Sequence, residues 1–131
     1  MMVRRPDEIM AESFRIIDAE IGEHPFDAAE WTVVRRMIHA CGDVGLVRDV
    51  VFSPGAVAAG VRAIRERTPL VTDVRMVAAG IHRPSLEGLG VDLCCFIDDP
   101  AVRRNAEARG TTRSRCAMEK AITVYPEASS C

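Results

Sequence analysis

The chain has 131 residues, of which 48% are hydrophobic, and a formal net charge of −2, a size that suits one domain with a modest core. That balance gives no reason to expect nucleic acid or an anionic membrane as a partner, and no apolar run approaches the length of a membrane span. Sixteen of the seventeen basic residues are arginine; genomic base composition explains this as readily as anion binding does, so an arginine carries weight only where a motif places it.

Met1 to Arg5 reads as a short basic arm. Asp7 to Glu20 follows as a helix, with Pro6 near its start and Ile9, Phe14, Ile16 and Ile17 on its apolar side. Ser13 inside it is ordinarily a neutral surface choice. Gly22 to Phe26, with Pro25, is a connection, and His24 there reads as a solvated loop residue. Asp27 suits the cap of the next helix, and Glu30 three positions later completes a capping-box pattern.

That second helix ends in the string W-T-V-V-R-R-M-I-H-A-C-G-D, Trp31 to Asp43. Helical spacing puts Trp31, Val34, Ile38 and Cys41 on one face and Thr32, Arg35, Arg36 and His39 on another. Gly42 is a helix stop, so His39 falls in the last turn, where the helix dipole favours imidazolium over imidazole. Asp43, four positions after His39, can orient or pair with it if the turn persists. Two guanidinium groups beside a titratable ring suit a substrate that bears carboxylates and needs a proton placed on it. A histidine flanked by arginines is also a common solvated surface feature, and periodicity alone does not separate the two readings.

Val44 to Phe52 is ambiguous between a short helix and a strand. Ser53-Pro54 opens a helix running to about Arg67, whose Ala56, Ala58, Ala59, Gly60 and Ala63 allow close packing against a sheet. Pro69 to Asp73 reads as a buried parallel strand, and its carboxyl end is where ligands of open α/β sheets gather. Thr72 and Asp73 are thus candidate substrate contacts, although Asp73 can equally cap the following helix. His82 has no evident partners. Val91 to Ile97 is a second strand, and Asp98-Asp99-Pro100 starts a helix by ordinary capping. Gly110-Thr111-Thr112-Arg113-Ser114 precedes a last helix, from about Arg115 to Ile122. Thr-Arg-Ser at a helix start combines N–H groups, hydroxyls and a guanidinium, a good carboxylate receptor.

Cys41, Cys94, Cys95, Cys116 and Cys131 show neither C-x-x-C spacing nor a zinc-like arrangement with histidine. Their odd count and the lack of a signal peptide favour reduced thiols in the cytoplasm, with Cys41, Cys94 and Cys116 as small core hydrophobes. Helices alternating with short apolar runs argue for an α/β domain of three layers, α/β/α, around a short and mainly parallel sheet.

Several strings share a further property. R-R-M-I-H-A-C-G-D resembles the signature of the precorrin-8X methylmutases, the precorrin isomerases of cobalamin biosynthesis, and E-S-F-R-I-I-D-A-E resembles that family's amino-terminal motif. F-S-P-G-A-V, T-D-x-x-M-V-x-x-G-I from Thr72 to Ile81 and the T-R-S of Thr112 to Ser114 are similar to family segments in the same order. The family's later Gly-Asn-Ala-Pro-Thr, Pro-Val-Gly-Phe and Gly-Gly-Ser segments are absent. The resemblance therefore describes an incomplete version of the family fold over residues 1–125, covering its amino-terminal three-fifths, with 126–131 as a tail outside the pattern.

What the resemblance implies is a methyl shift from C-11 to C-12 of a corrin-type macrocycle, converting precorrin-8X to hydrogenobyrinate, or the same shift on cobalt-precorrin-8. A shift within one molecule calls for no methyl donor, redox cofactor or catalytic metal, in keeping with the lack of a glycine-rich dinucleotide fingerprint. By the resemblance His39 is the proton donor and acceptor. Ser13, Arg36, Thr72 and Arg113 would then hold the carboxylate side chains of the tetrapyrrole, with Asp73 and Ser114 as further substrate contacts, and a homodimer is implied; composition adds the expectation of a cytoplasmic protein with no nucleic-acid or membrane partner. The alternative is a corrinoid-binding protein that holds the ligand without turning it over.

Overall fold

The computed structural model describes residues 5–126. The expected basic arm and carboxyl-terminal tail lie, apart from Arg5 and Pro126, outside the described residues. The chain divides after Val57 into two compact units.

The first unit is built on two helices, α1 (Pro6–Ile21) and α2 (Ala28–Cys41). Proline stands in the first turn of α1, where its missing N–H costs nothing, and the Arg5 N–H donates to Glu8 Oε2 at 3.0 Å. At the start of α2, Asp27 Oδ1 accepts from the N–H groups of Ala29 and Glu30 at 2.8 and 2.9 Å, while the Asp27 N–H donates to Glu30 Oε2 at 3.1 Å. The capping box read from the sequence is thus present in both directions. α2 closes at Gly42, whose φ of 70° lies in the left-handed region that glycine enters without a steric penalty.

Ile17 of α1 and Val34 and Ile38 of α2 form the buried centre of this unit, with Phe14, Phe26, Trp31, Val47 and Phe52 packed around them. Trp31, Val34 and Ile38 face that centre as the spacing indicated, but Cys41 is exposed. It stands in the final turn, where the chain swings away at Gly42. The ambiguous stretch after it resolves as a short helix, Val44–Arg48, of the 3₁₀ kind. Asp43 dictates this, because its Oδ1 accepts from the Gly45 N–H at 2.8 Å and so tightens the turn. His24 is not a solvated loop residue. Its ring stacks on Trp31 with centroids 4.0 Å apart, and its Nδ1 is buried with no hydrogen-bond partner among the described residues.

The second unit is α/β. α3 (Ala56–Arg65) opens at the boundary and is shorter than the expected helix, because Ser53 to Gly55 form a turn in which the Ala56 N–H donates to the Ser53 carbonyl at 3.0 Å. β1 (Leu70–Thr72) and β2 (Leu93–Cys95) pair in parallel, with Leu70 opposite Leu93, Val71 opposite Cys94 and Thr72 opposite Cys95. Both strands are shorter than their apolar runs. Pro69 has no N–H to pair, and the Asp99 N–H already turns back to the Phe96 carbonyl at 3.0 Å. Gly60 and Ala63 of α3 do not pack closely on the sheet; with Leu70, Val71 and Ile122 they line an apolar groove of about 330 Å³.

Between the strands run α4 (Arg75–Gly80), which packs on both of them, and α5 (Arg83–Leu89). His82 does have a partner, Ser85 Oγ, 2.7 Å from its Nδ1. α6 (Pro100–Arg109) begins where Asp99 accepts from the Ala101 N–H at 2.7 Å, so Asp99 is the expected cap, whereas Asp98 of the acidic pair accepts from the Arg75 guanidinium instead. α7 (Arg113–Val124) is capped by Thr112 and packs on α6 and β1. Val102, Ala106, Cys116 and Ala117 make the core between α6 and α7, with Phe96 and Ile97 against it. Cys116 is a core hydrophobe as expected, whereas Cys94 is half-buried, its Sγ 3.3 Å from the Tyr125 hydroxyl, whose pKa this contact raises.

Candidate functional site

In the first unit, α2 presents Trp31, Arg35 and His39 at successive turns, and this row meets α1. Arg35 donates from Nη1 to Asp18 Oδ2 at 2.8 Å and places its guanidinium carbon 4.6 Å from the centroid of the Phe14 ring. Trp31 Nε1 donates to the other Asp18 oxygen at 2.9 Å. His39 lies edge to face with Phe14, centroids 5.4 Å apart and planes at 78°. Arg35, expected on a basic stripe opposite the apolar seam, is therefore spent on α1. Asp43 does not serve His39, because the helix has ended and its carboxylate is turned to Gly45.

The other two candidates of this unit keep weaker partners. Ser13 donates its hydroxyl to the Ile9 carbonyl at 3.0 Å, a bond within its own helix. Arg36 is exposed and reaches Met10 Sδ at 3.0 Å. Thioether sulfur is a poor acceptor, so the guanidinium is readily reclaimed by a carboxylate. Met10 stands one turn before Ser13 on α1, so Arg36 lies against the helix face that carries Ser13.

In the second unit, Thr72 ends β1 and is only 5% exposed, yet its hydroxyl has no hydrogen-bond partner among the described residues. Its neighbour Asp73 does not cap α4, whose cap position is Val74; Asp73 Oδ2 instead accepts the Ser114 hydroxyl at 3.0 Å. Ser114 thus has its proton engaged and can offer an anion only its backbone N–H. Arg113, the first residue of α7, is exposed and lines an open depression of about 390 Å³ with Arg103, Glu107 and Thr111. The donors open to a carboxylate here are the Arg113 guanidinium and the backbone N–H groups at the start of α7 ahead of Arg115, whose own N–H donates to Thr112; the Thr72 hydroxyl is sealed from solvent. Among the described residues, no three His, Cys, Asp or Glu side chains gather so as to hold a metal ion.

The sequence profile of the precorrin-8X methylmutases matches residues 8–129. The chain belongs to this family. A cobalt-precorrin-8 methylmutase of Priestia megaterium is 37% identical over 118 residues, taking in 90% of this chain and 52% of that protein. One from Leptospira interrogans is 38% identical over 110 residues, 84% of this chain and 50% of that one. The crystal structure of precorrin-8X methylmutase from Thermus thermophilus superposes with a TM-score of 0.77 at 41% identity, covering 88% of this chain and 55% of its own. This chain thus spans about half the length of the methylmutases it matches.

Within this methylmutase segment the sequence reading missed Phe14, Asp18 and Trp31 as neighbours of the candidate histidine. The signal was available in part: Phe14 and Asp18 are one turn apart, as are Trp31, Arg35 and His39. What sequence spacing does not supply is which row of α2 lies against which row of α1.

Proposed function

We propose that this chain acts in the methylmutase reaction of its family, moving a methyl group from C-11 to C-12 of precorrin-8X, or of cobalt-precorrin-8, to give the hydrogenobyrinate framework. One carbon–carbon bond to the methyl breaks and another forms within the same molecule, so the work left to the protein is gripping the macrocycle and handling a proton. The observation that carries the reading is the setting of His39 in the matched region. Its ring closes α2, and among the described residues neither ring nitrogen is hydrogen-bonded to protein. Such an imidazole is free to give a proton to a bound ring and take it back, and histidine as a residue type titrates near neutral pH.

Ser13 and Arg36 in the first unit, and Thr72 and Arg113 in the second, are two separate candidate sets of contacts for the carboxylate side chains of the tetrapyrrole. Asp73 and Ser114 serve that second set as a bonded pair. The protein works as a cytoplasmic homodimer; no helix among the described residues is long and apolar enough to cross a membrane. The test is direct: purified chain is mixed with precorrin-8X, and separately with its cobalt counterpart, while the absorption spectrum is followed. Conversion of either chromophore is the expected result. A chromophore that binds unchanged supports corrinoid binding without turnover, and no binding at all removes both readings.

A further inference from the structure

We propose that Phe14 is the positioning residue of His39, taking the place of the hydrogen-bonding partner that ordinarily orients a general acid–base histidine. The inference rests on the proton-handling role of His39 proposed above. A histidine in that role usually has one ring nitrogen fixed by a carboxylate or carbonyl, which sets both tautomer and orientation. Among the described residues His39 has no such bond, and Asp43, the nearest carboxylate in sequence, is turned to the Gly45 N–H. The contact it does make is the edge-to-face packing on Phe14, at 5.4 Å and 78°. This arrangement restrains the ring while leaving both nitrogens open to substrate.

Phe14 is itself held. The Arg35 guanidinium lies 4.6 Å from its centroid, Asp18 binds that guanidinium at 2.8 Å, and Trp31 Nε1 fixes the second Asp18 oxygen at 2.9 Å. An arginine at this surface for stability alone would sit better in water, since its Nε–H is here buried with no partner among the described residues. What the placement secures is a fixed charge on the ring that meets His39. The spacing enforces the arrangement: Phe14 and Asp18 stand one turn apart on α1, and Trp31, Arg35 and His39 one turn apart on α2, so the rows mesh.

The test compares the full chain with its Phe14→Leu, Phe14→Tyr and Asp18→Asn variants by proton NMR of His39. A side chain held in one helical rotamer gives unequal Hα–Hβ couplings, and rotamer averaging makes them converge. The couplings are expected to be unequal in the native chain and in Phe14→Tyr, to converge in Phe14→Leu, and to move part of the way in Asp18→Asn. Unequal couplings that survive in Phe14→Leu overturn the proposal. Should that variant fail to fold, Asp18→Asn alters a half-exposed carboxylate and decides in its place, unchanged couplings again counting against. In turnover, Phe14→Leu should lower kcat about tenfold with KM within about twofold, the pattern of a misplaced catalytic group, and Phe14→Tyr should restore it. A raised KM with unchanged kcat would make Phe14 a ligand contact instead. If the native chain turns nothing over, the proposed activity fails, while the couplings still decide the orientation without substrate.

Discussion

An imidazole with two unengaged nitrogens and an arginine with an open fork are chemically different assets, and their removal should be felt differently. His39→Ala deletes the group assigned to proton transfer but no donor to a carboxylate, so turnover should vanish while the affinity for the tetrapyrrole stays near the native value. Spectral titration alongside the conversion assay measures both, and retained turnover would take His39 out of its role. Arg113→Ala has the opposite signature. Losing one charge-assisted hydrogen bond should weaken binding by roughly 1.5 to 3 kcal/mol, visible as a rise in the dissociation constant, and an unchanged constant would place Arg113 outside the site. No comparable loss is expected from Ser114→Ala through its hydroxyl, because that proton is committed to Asp73.

At the scale of elements, α6 and α7 are joined through Glu119, which accepts from Arg109 at the end of α6 and, at 3.1 Å, from Arg115 one turn back on α7. The Arg109 hydrogen bond, followed by that of Arg115, lowers the Glu119 pKa from 4.5 to about 2. A carboxylate depressed in this way stabilises the fold above its unfolded value and loses that contribution as pH falls through its folded value. Thermal unfolding of Glu119→Gln should therefore begin below that of the native chain at pH 7, and the gap should narrow beneath about pH 4.5 and close near pH 2. Equal melting at pH 7, or a gap that widens on acidification, would show the cluster to be inert. The elements themselves were largely legible in the sequence where local chemistry decides them: Asp27 with Glu30, Gly42, Asp99-Pro100 and Thr112 each mark a real helix end. Legibility failed where a choice depended on distant partners. Asp73 reads locally as a cap of the next helix, and instead accepts from Ser114, forty-one positions away. Val44 to Phe52 fits either regular pattern until Asp43 closes its turn, and Arg35 looks like a surface charge until α1 supplies Phe14 and Asp18.

At the scale of the whole molecule, exposed apolar surface has to be covered. Val51 is 88% and Met76 81% exposed, and Ile64, Leu70 and Ile122 at the groove of the second unit are 40%, 37% and 51% exposed. Large apolar side chains so exposed and so numerous favour association, and the proposed homodimer is one way to cover them. A stable dimer needs roughly 800 Å² buried on each partner, which a cluster of such side chains with its polar rim can supply. Sedimentation velocity over a hundredfold range of concentration should show a monomer converting to a dimer. Ile122→Ser should shift that equilibrium toward the monomer if the groove takes part, and leave it unchanged if another surface carries the contact. A single monomeric species across the range would remove the homodimer from the functional reading.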